Sequence, residues 1–172
     1  MDPLIRTGQA APDFSLKSLG GVTYRLSEHL GPLIILNFWS AECTWSEQGD
    51  REILEALPAW GGRAILWTIA SNGNEPARLV NQEAQRRGLP LVLLDEEHRV
   101  ADLYGAQTTP HSFVIDSTRR LRYQGSINDI TFRQRTATRS YLKEAISALL
   151  AGKNPQPDET PPYGCTIVRY LE

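Results

Sequence analysis

The sequence predicts an α/β fold: a central mixed β-sheet flanked by helices, with an N-terminal β-hairpin and a C-terminal extension. Three observations predict it. First, Leu33–Trp39 (L-I-I-L-N-F-W) and residues 63–70 are continuous apolar runs, the pattern of strands buried on both faces. Second, each run is followed by a helical pattern, over 44–57 and 76–87. Third, the apolar run Phe113, Val114, Ile115 leads through Asp116-Ser117-Thr118-Arg119 into Leu121–Gly125, a hairpin, and then into an amphipathic helix over 138–151. Alternating strand and helix, then hairpin and helix, suits a sheet covered on both sides.

The chain in order supports this reading. Phe14 and Leu16 alternate with polar neighbours, Leu19-Gly20-Gly21-Val22 supplies a turn, and Thr23-Tyr24-Arg25-Leu26 follows as a second short strand. Residues 27–30 read as one helical turn, closed by Gly31-Pro32. In the helix over 44–57, Ile53, Leu54 and Leu57 share a face, and Pro58 is expected to end it. The helix over 76–87 stops at Gly88. Residues 91–94 form a short strand, and 97–104 a short helix ending at Gly105. Residues 127–135 are polar and poorly patterned. In the last helix Leu142, Ile146, Leu149 and Leu150 face inward. The proline-rich segment 154–162 must be extended, and 163–170 reads as strand. The domain is expected to span 1–152, with 153–172 a tail packing on the same domain.

Composition bounds the function. With 172 residues the chain can bury a core as one domain. A net charge of −2 leaves no electrostatic footprint for nucleic acid or an acidic membrane. No apolar run approaches the ~18 residues of a membrane span. The start M-D-P-L-I-R-T-G-Q lacks an apolar signal region, which reads as cytoplasmic, or periplasmic if a leader preceded it. The three histidines, His29, His98 and His111, are scattered, so no metal site is expected; His111 reads as a surface residue. No cofactor is indicated, and the oligomeric state is open.

Two cysteines, Cys43 and Cys165, carry the chemistry. Their number and separation exclude a disulfide scaffold but leave open one long-range bridge, or a reactive thiol with a distant partner. Cys43 falls where a buried strand turns into a helix. The first amides of a helix lack internal partners, and with the helix dipole they favour negative charge. A thiolate at Cys43 is therefore stabilised in this reading.

The segment Asn37-Phe38-Trp39-Ser40-Ala41-Glu42-Cys43-Thr44-Trp45-Ser46 resembles the active-site stretch of thioredoxin-like proteins, especially bacterial thiol-disulfide oxidoreductases and redoxin (AhpC/TSA-like) domains, which carry N-F-W-A-x-W-C-x-x-C. The opening Ala10-Ala11-Pro12-Asp13-Phe14, the run Thr108-Thr109-Pro110-His111-Ser112-Phe113-Val114-Ile115-Asp116 and the ending Gly164-Cys165-Thr166-Ile167 resemble redoxin members too. The resemblance implies a thioredoxin-like fold, thiol-disulfide exchange with protein or low-molecular-weight thiols, and a cis-proline at Pro110. It makes Cys43 the attacking cysteine, and Trp39, Thr44, Trp45, Ser46, Thr109 and Pro110 the substrate face. Ser46 stands where the second cysteine belongs, so the motif is C-x-x-S.

Ser46 cannot release a mixed disulfide. Three outcomes follow: Cys165 resolves from a folded-back tail, an external thiol such as glutathione resolves, or the site is a redox-dead binding module. A reversible Cys43–Cys165 disulfide is the hypothesis carried forward. A thiol peroxidase is the further alternative; in this register the position of a peroxidatic cysteine is Glu47. Glu42 and Glu47 read as helix-start acids favoured by the dipole, with a proton acceptor for Cys43 as the alternative.

Overall fold

The computed structural model describes residues 4–170. Met1, Asp2 and Pro3 of the N-terminal segment read above for a secretion signal lie outside the described residues, as do residues 171–172.

Strands β1 (Ser15–Ser18) and β2 (Thr23–Arg25) form the antiparallel N-terminal hairpin. Then come β3 (Leu33–Trp39), helix α1 (Thr44–Trp60), β4 (Ala64–Ala70), α2 (Ala77–Arg87), β5 (Val92–Leu94) and α3 (Arg99–Tyr104). The second half holds β6 (Thr108–Thr109), β7 (His111–Ile115), β8 (Leu121–Gly125), α4 (Tyr141–Leu150) and β9 (Cys165–Thr166). Seven strands make one mixed sheet in the order β2-β1-β5-β4-β3-β7-β8, and β6 pairs β9 in a separate two-stranded ladder. The expected thioredoxin-like architecture is present.

Strand β3 explains why the continuous apolar run was needed. Its side chains alternate between two covered faces. Ile34, Leu36 and Phe38 pack with Val100, Ala101 and Tyr104 of α3 and with Phe14. Ile35 packs with Ile53 of α1 and with Leu142 and Ile146 of α4. Each such fully buried side chain contributes ~1.5–3 kcal/mol. Ile167 of the tail is only 3% exposed and belongs to the same cluster as Phe38, so an apolar side chain fastens the tail to the domain.

Several boundaries differ from the sequence reading. Helix α1 runs past Pro58 to Trp60, and Gly61 ends it with a left-handed φ of 58°. In the last turn a proline forfeits one backbone bond, and the 6%-exposed Trp60 gains a place in the core beyond it. Helix α3 starts at Arg99 because the Asp95 carboxylate accepts the N–H groups of Val100 (3.1 Å) and Ala101 (2.9 Å), acting as its cap from outside the helix. Helix α4 starts at Tyr141 because Asp129 accepts the N–H groups of Thr138 (2.8 Å) and Arg139 (3.1 Å), holding 138–139 in a loop. The strand read over 163–170 shrinks to Cys165–Thr166.

Candidate active site

The antiparallel register of β3 and β7 sets Phe38 opposite His111. The residue before β7, Pro110, therefore lies beside the end of β3, where the chain leaves the sheet for Cys43. Cys43 occupies the N-cap of α1 in an extended conformation. The Thr109–Pro110 peptide is cis, as the resemblance implied. Pro110 also lies against Gly49 of α1, where an added Cβ would sit 3.5 Å from the proline Cγ and 2.6 Å from Ile127 Cδ1. A glycine at 49 thus lets the helix approach the proline loop closely.

Across that loop comes the tail. Thr108 pairs with Thr166 and Thr109 with Cys165 in an antiparallel ladder. Cys43 and Cys165 are joined as a disulfide, with Cα atoms 6.3 Å apart and a sequence separation of 122. Cys43 Sγ lies 3.1 Å from the carbonyl oxygen of Thr109. In the disulfide this is a close approach without a hydrogen; in the reduced form the Cys43 thiol can donate to that oxygen. Cys43 is 3% exposed, whereas Cys165 lies on the surface.

Gly164 is what lets the tail lie so near. A Cβ on it would stand 2.2 Å from the Thr109 carbonyl oxygen and 2.7 Å from its carbon. Backbone cannot yield as a side-chain tip does. The substitution Gly164→Ala is expected to push the tail off Thr109 and to lower the equilibrium constant for Cys43–Cys165 closure in glutathione buffers by about tenfold or more. The stability of the reduced protein is expected to change little.

The tail is pinned on both sides of Cys165. Upstream, Thr160 N–H donates to Gln124 O (3.0 Å), and Thr160 Oγ1 accepts the Ser126 N–H (2.9 Å). Downstream, Ile167 N–H donates to Gln107 O (3.1 Å), and the Arg169 guanidinium meets Asp102 (2.7 Å). Tyr163 packs edge-on against Trp45, with ring centroids 5.4 Å apart.

The loop before Cys43 is gripped by charge from two sides. Glu75 accepts the Ala41 N–H (2.8 and 3.0 Å) and the Ser40 hydroxyl (2.7 Å). Arg87, with 4% of its side chain exposed, donates to the carbonyls of Ser40 (3.3 Å) and Ala41. It also pairs with buried Asp50 at 3.2 Å, while Trp39 Nε1 donates to the same Asp50 oxygen at 2.7 Å. A buried pair of this kind adds little net stability but fixes geometry.

These contacts reassign part of the expected substrate face. Trp39 is 1% exposed, committed to Asp50 and capped by the Arg87 guanidinium 5.1 Å from its ring, so it faces the interior. Ser46 is fully buried, its hydroxyl accepting the Ser40 N–H at 3.2 Å. It has become a brace for the loop. Thr109 and Pro110 flank the disulfide but lie buried beneath the tail. Thr44 is exposed and Trp45 half-buried at the rim. His111 is 4% exposed and stacks near Phe113, contrary to its reading as a surface residue. Glu47 bonds Arg51 (3.1 Å) and Arg86 (3.0 Å), which together hold its carboxyl at about 2, leaving it poorly suited to accept a proton.

Asp50, Arg87 and Glu75 were not singled out from the sequence, and Gly164 entered only within the resemblance of the ending. A signal existed for two of them. Asp50 sits three residues before Ile53 on the inward face of α1, and Arg87 follows Val80 and Ala84 at helical spacing on α2. Two opposite charges on inward faces indicate a buried pair.

Burial also sets two titrations against each other. It lifts Asp50 to about 6, with the bonds from Trp39 and Arg87 opposing. It lowers His111 to about 4. Between pH 4 and 6 folded Asp50 holds a proton that the unfolded chain has lost, so its contribution falls as pH rises. Unfolded His111 holds a proton that the folded chain lacks, so its contribution rises with pH. The two slopes, each at most ~1.4 kcal/mol per pH unit, nearly cancel. Relative to wild type, Asp50→Asn is expected to make the slope of stability between pH 4 and 6 more positive and His111→Asn to make it more negative, both read from urea unfolding.

A disulfide between a helix N-cap and a strand laid on a cis-proline loop, at the C-terminal end of the central strand β3, defines a redoxin domain of the thioredoxin-like class. The AhpC/TSA family profile matches residues 7–124, and the chain belongs to that family. It is similar to the thiol-disulfide oxidoreductase ResA of Geobacillus thermodenitrificans, at 30% identity over 119 residues, 69% of this chain and 68% of that one. The corresponding ResA of Geobacillus kaustophilus is 32% identical over 65% of this chain and 64% of its own length. Among solved structures, a hypothetical protein from Sinorhizobium meliloti superposes with a TM-score of 0.87 at 28% identity, covering 98% of this chain and 97% of that one. The family profile stops before the tail; this structural match runs through it.

Proposed function

We propose that this chain is a thiol-disulfide oxidoreductase whose working pair is Cys43 and Cys165, the second thiol being delivered by the tail instead of by position 46. The pairing of Thr109 with Cys165 carries this reading, because it sets the distant cysteine on the sulfur at the helix start. Similarity to the two ResA proteins supports the reaction class.

The chemistry follows from thiol exchange. In the reduced form the Cys43 thiolate attacks a substrate disulfide, forming a mixed disulfide and expelling one substrate thiol. The Cys165 thiolate then attacks Cys43 Sγ, releasing the second substrate thiol and leaving the Cys43–Cys165 disulfide. A thiol reductant, supplying two electrons, restores both thiols. No cofactor enters these steps. The substrate is a protein or low-molecular-weight disulfide, and an extended peptide can pair with the Thr108–Thr109 edge when the tail is lifted. Glu47, at the register of a peroxidatic cysteine, speaks against a peroxidase.

The test is a thiol-coupled insulin-reduction assay on wild type and Cys43→Ser. Turnover by wild type alone supports the proposal; equal, negligible rates would favour a non-enzymatic binding module.

A further inference from the structure

In a C-x-x-C site the second sulfur is placed by the helix that carries the first. Here the two cysteines lie 122 positions apart in sequence, so contacts between segments must do that work. The loop joining β4 to α2 touches both. Asn72 Oδ1 accepts the Val168 N–H at 2.7 Å, and the Gly73 N–H donates to Val168 O at 2.8 Å, clipping the tail three residues beyond Cys165. The other end of the same amide, Asn72 Nδ2, donates to Glu75 Oε1 at 2.9 Å. Glu75 in turn holds Ser40 and Ala41, three and two residues before Cys43.

We infer that Asn72 and Glu75 are positioning residues for the redox pair: one side-chain bond ties the segment bearing Cys165 to the loop bearing Cys43 and holds the two sulfurs in reach of each other. The inference rests on the proposal that this pair cycles. Neither side chain touches a reacting atom as the contacts stand. Their effect is on how favourably the second sulfur is presented to the first, which sets the equilibrium between dithiol and disulfide. A side chain that merely supported the fold would lower the stability of oxidised and reduced protein alike. One that aligns the two segments shifts the closure equilibrium in addition.

The experiment equilibrates the full chain in glutathione buffers of graded ratio, alkylates the free thiols, and counts them. Unfolding of the fully reduced proteins is measured alongside. Asn72→Ala is expected to lower the equilibrium constant for Cys43–Cys165 closure about tenfold, equivalent to about 30 mV for a two-electron couple, with the reduced-state unfolding midpoint little changed. Glu75→Gln is expected to act in the same direction more weakly, since a glutamine can still accept from Ala41. In the double variant Asn72→Asp/Glu75→Gln the amide and the carboxylate trade places. The carboxylate at 72 still accepts from Val168 and now also from the amide at 75. Its closure constant is expected to recover to above that of Asn72→Ala and of the single variant Asn72→Asp, which has the same bulk but sets two carboxylates against each other.

An unchanged closure constant in Asn72→Ala, with wild type cycling normally, would overturn this inference and leave the proposed function standing. A shift matched by an equal loss of reduced-state stability, with no recovery in the double variant, would also overturn it. A wild-type pair that never closes in any glutathione ratio would overturn both.

Discussion

Reducing the Cys43–Cys165 disulfide is expected to lower the thermal midpoint of this protein by about 10–20 °C. The reason lies mainly in the unfolded chain. A cross-link between residues 122 apart in sequence removes loop-closure entropy worth about 5 kcal/mol in the chain-entropy model. For a protein of this length each kcal/mol moves the midpoint by about 2–4 °C. Because whole-domain stability is on the order of 5–15 kcal/mol, the cross-link is a large share of it. Loss of tail docking in the reduced form, if Ile167 leaves its cluster, adds in the same direction. Urea unfolding of oxidised and reduced protein checks this. The oxidised form is expected to show the higher midpoint and a smaller m value, since its cross-linked unfolded state exposes less surface. The double variant Cys43→Ser/Cys165→Ser is expected to match the reduced protein and to ignore reductant. Coincident midpoints for oxidised and reduced wild type would refute the prediction.

What the sequence revealed and what it hid divide along a physical line. Leu33–Trp39 and Ala64–Ala70 were legible because both faces of a central strand are covered, so no polar residue is required along most of them. Cys43 at a strand-to-helix turn and Pro110 before an apolar strand were legible because local chain geometry and a motif place them. The starts of α3 and α4 were not, since their N–H groups are met by carboxylates of Asp95 and Asp129 from outside the helices. Trp39 looked like substrate face because the motif puts it four residues before Cys43. Its orientation is decided by Asp50 and Arg87, which come from two different helices. The pairing of Cys165 stayed open among three outcomes for the same reason: it depends on tail contacts to Gln124, Gln107 and Asn72, none near Cys165 in sequence. Gly164 marks the one place where the tail itself carried the signal, a residue without Cβ just where two backbones must nearly touch.

The two single-cysteine variants are expected to fail in different ways, and the difference separates a tail-resolved mechanism from monothiol chemistry. Cys43→Ser removes the proposed nucleophile, so disulfide reduction is expected to fall by about 100-fold or more, to the rate of the reductant alone. Adding glutathione does not rescue it, because the exposed Cys165 thiol lacks the helix start that favours a thiolate at Cys43. Cys165→Ser keeps the proposed nucleophile and loses the proposed resolving thiol. Its mixed disulfide with substrate is expected to accumulate on Cys43, visible as a covalent adduct by mass spectrometry of alkylated protein. Turnover then waits for an external thiol and becomes proportional to glutathione concentration. In wild type the resolving thiol is tethered on a strand laid against Thr109, so its effective concentration exceeds that of a millimolar free thiol. At about 1 mM glutathione the Cys165→Ser rate is therefore expected to be roughly 10- to 100-fold below wild type. If Cys165→Ser instead turns over at the wild-type rate with no adduct, an external thiol already resolves the natural enzyme, and the tail serves only to cover Cys43 in the oxidised protein.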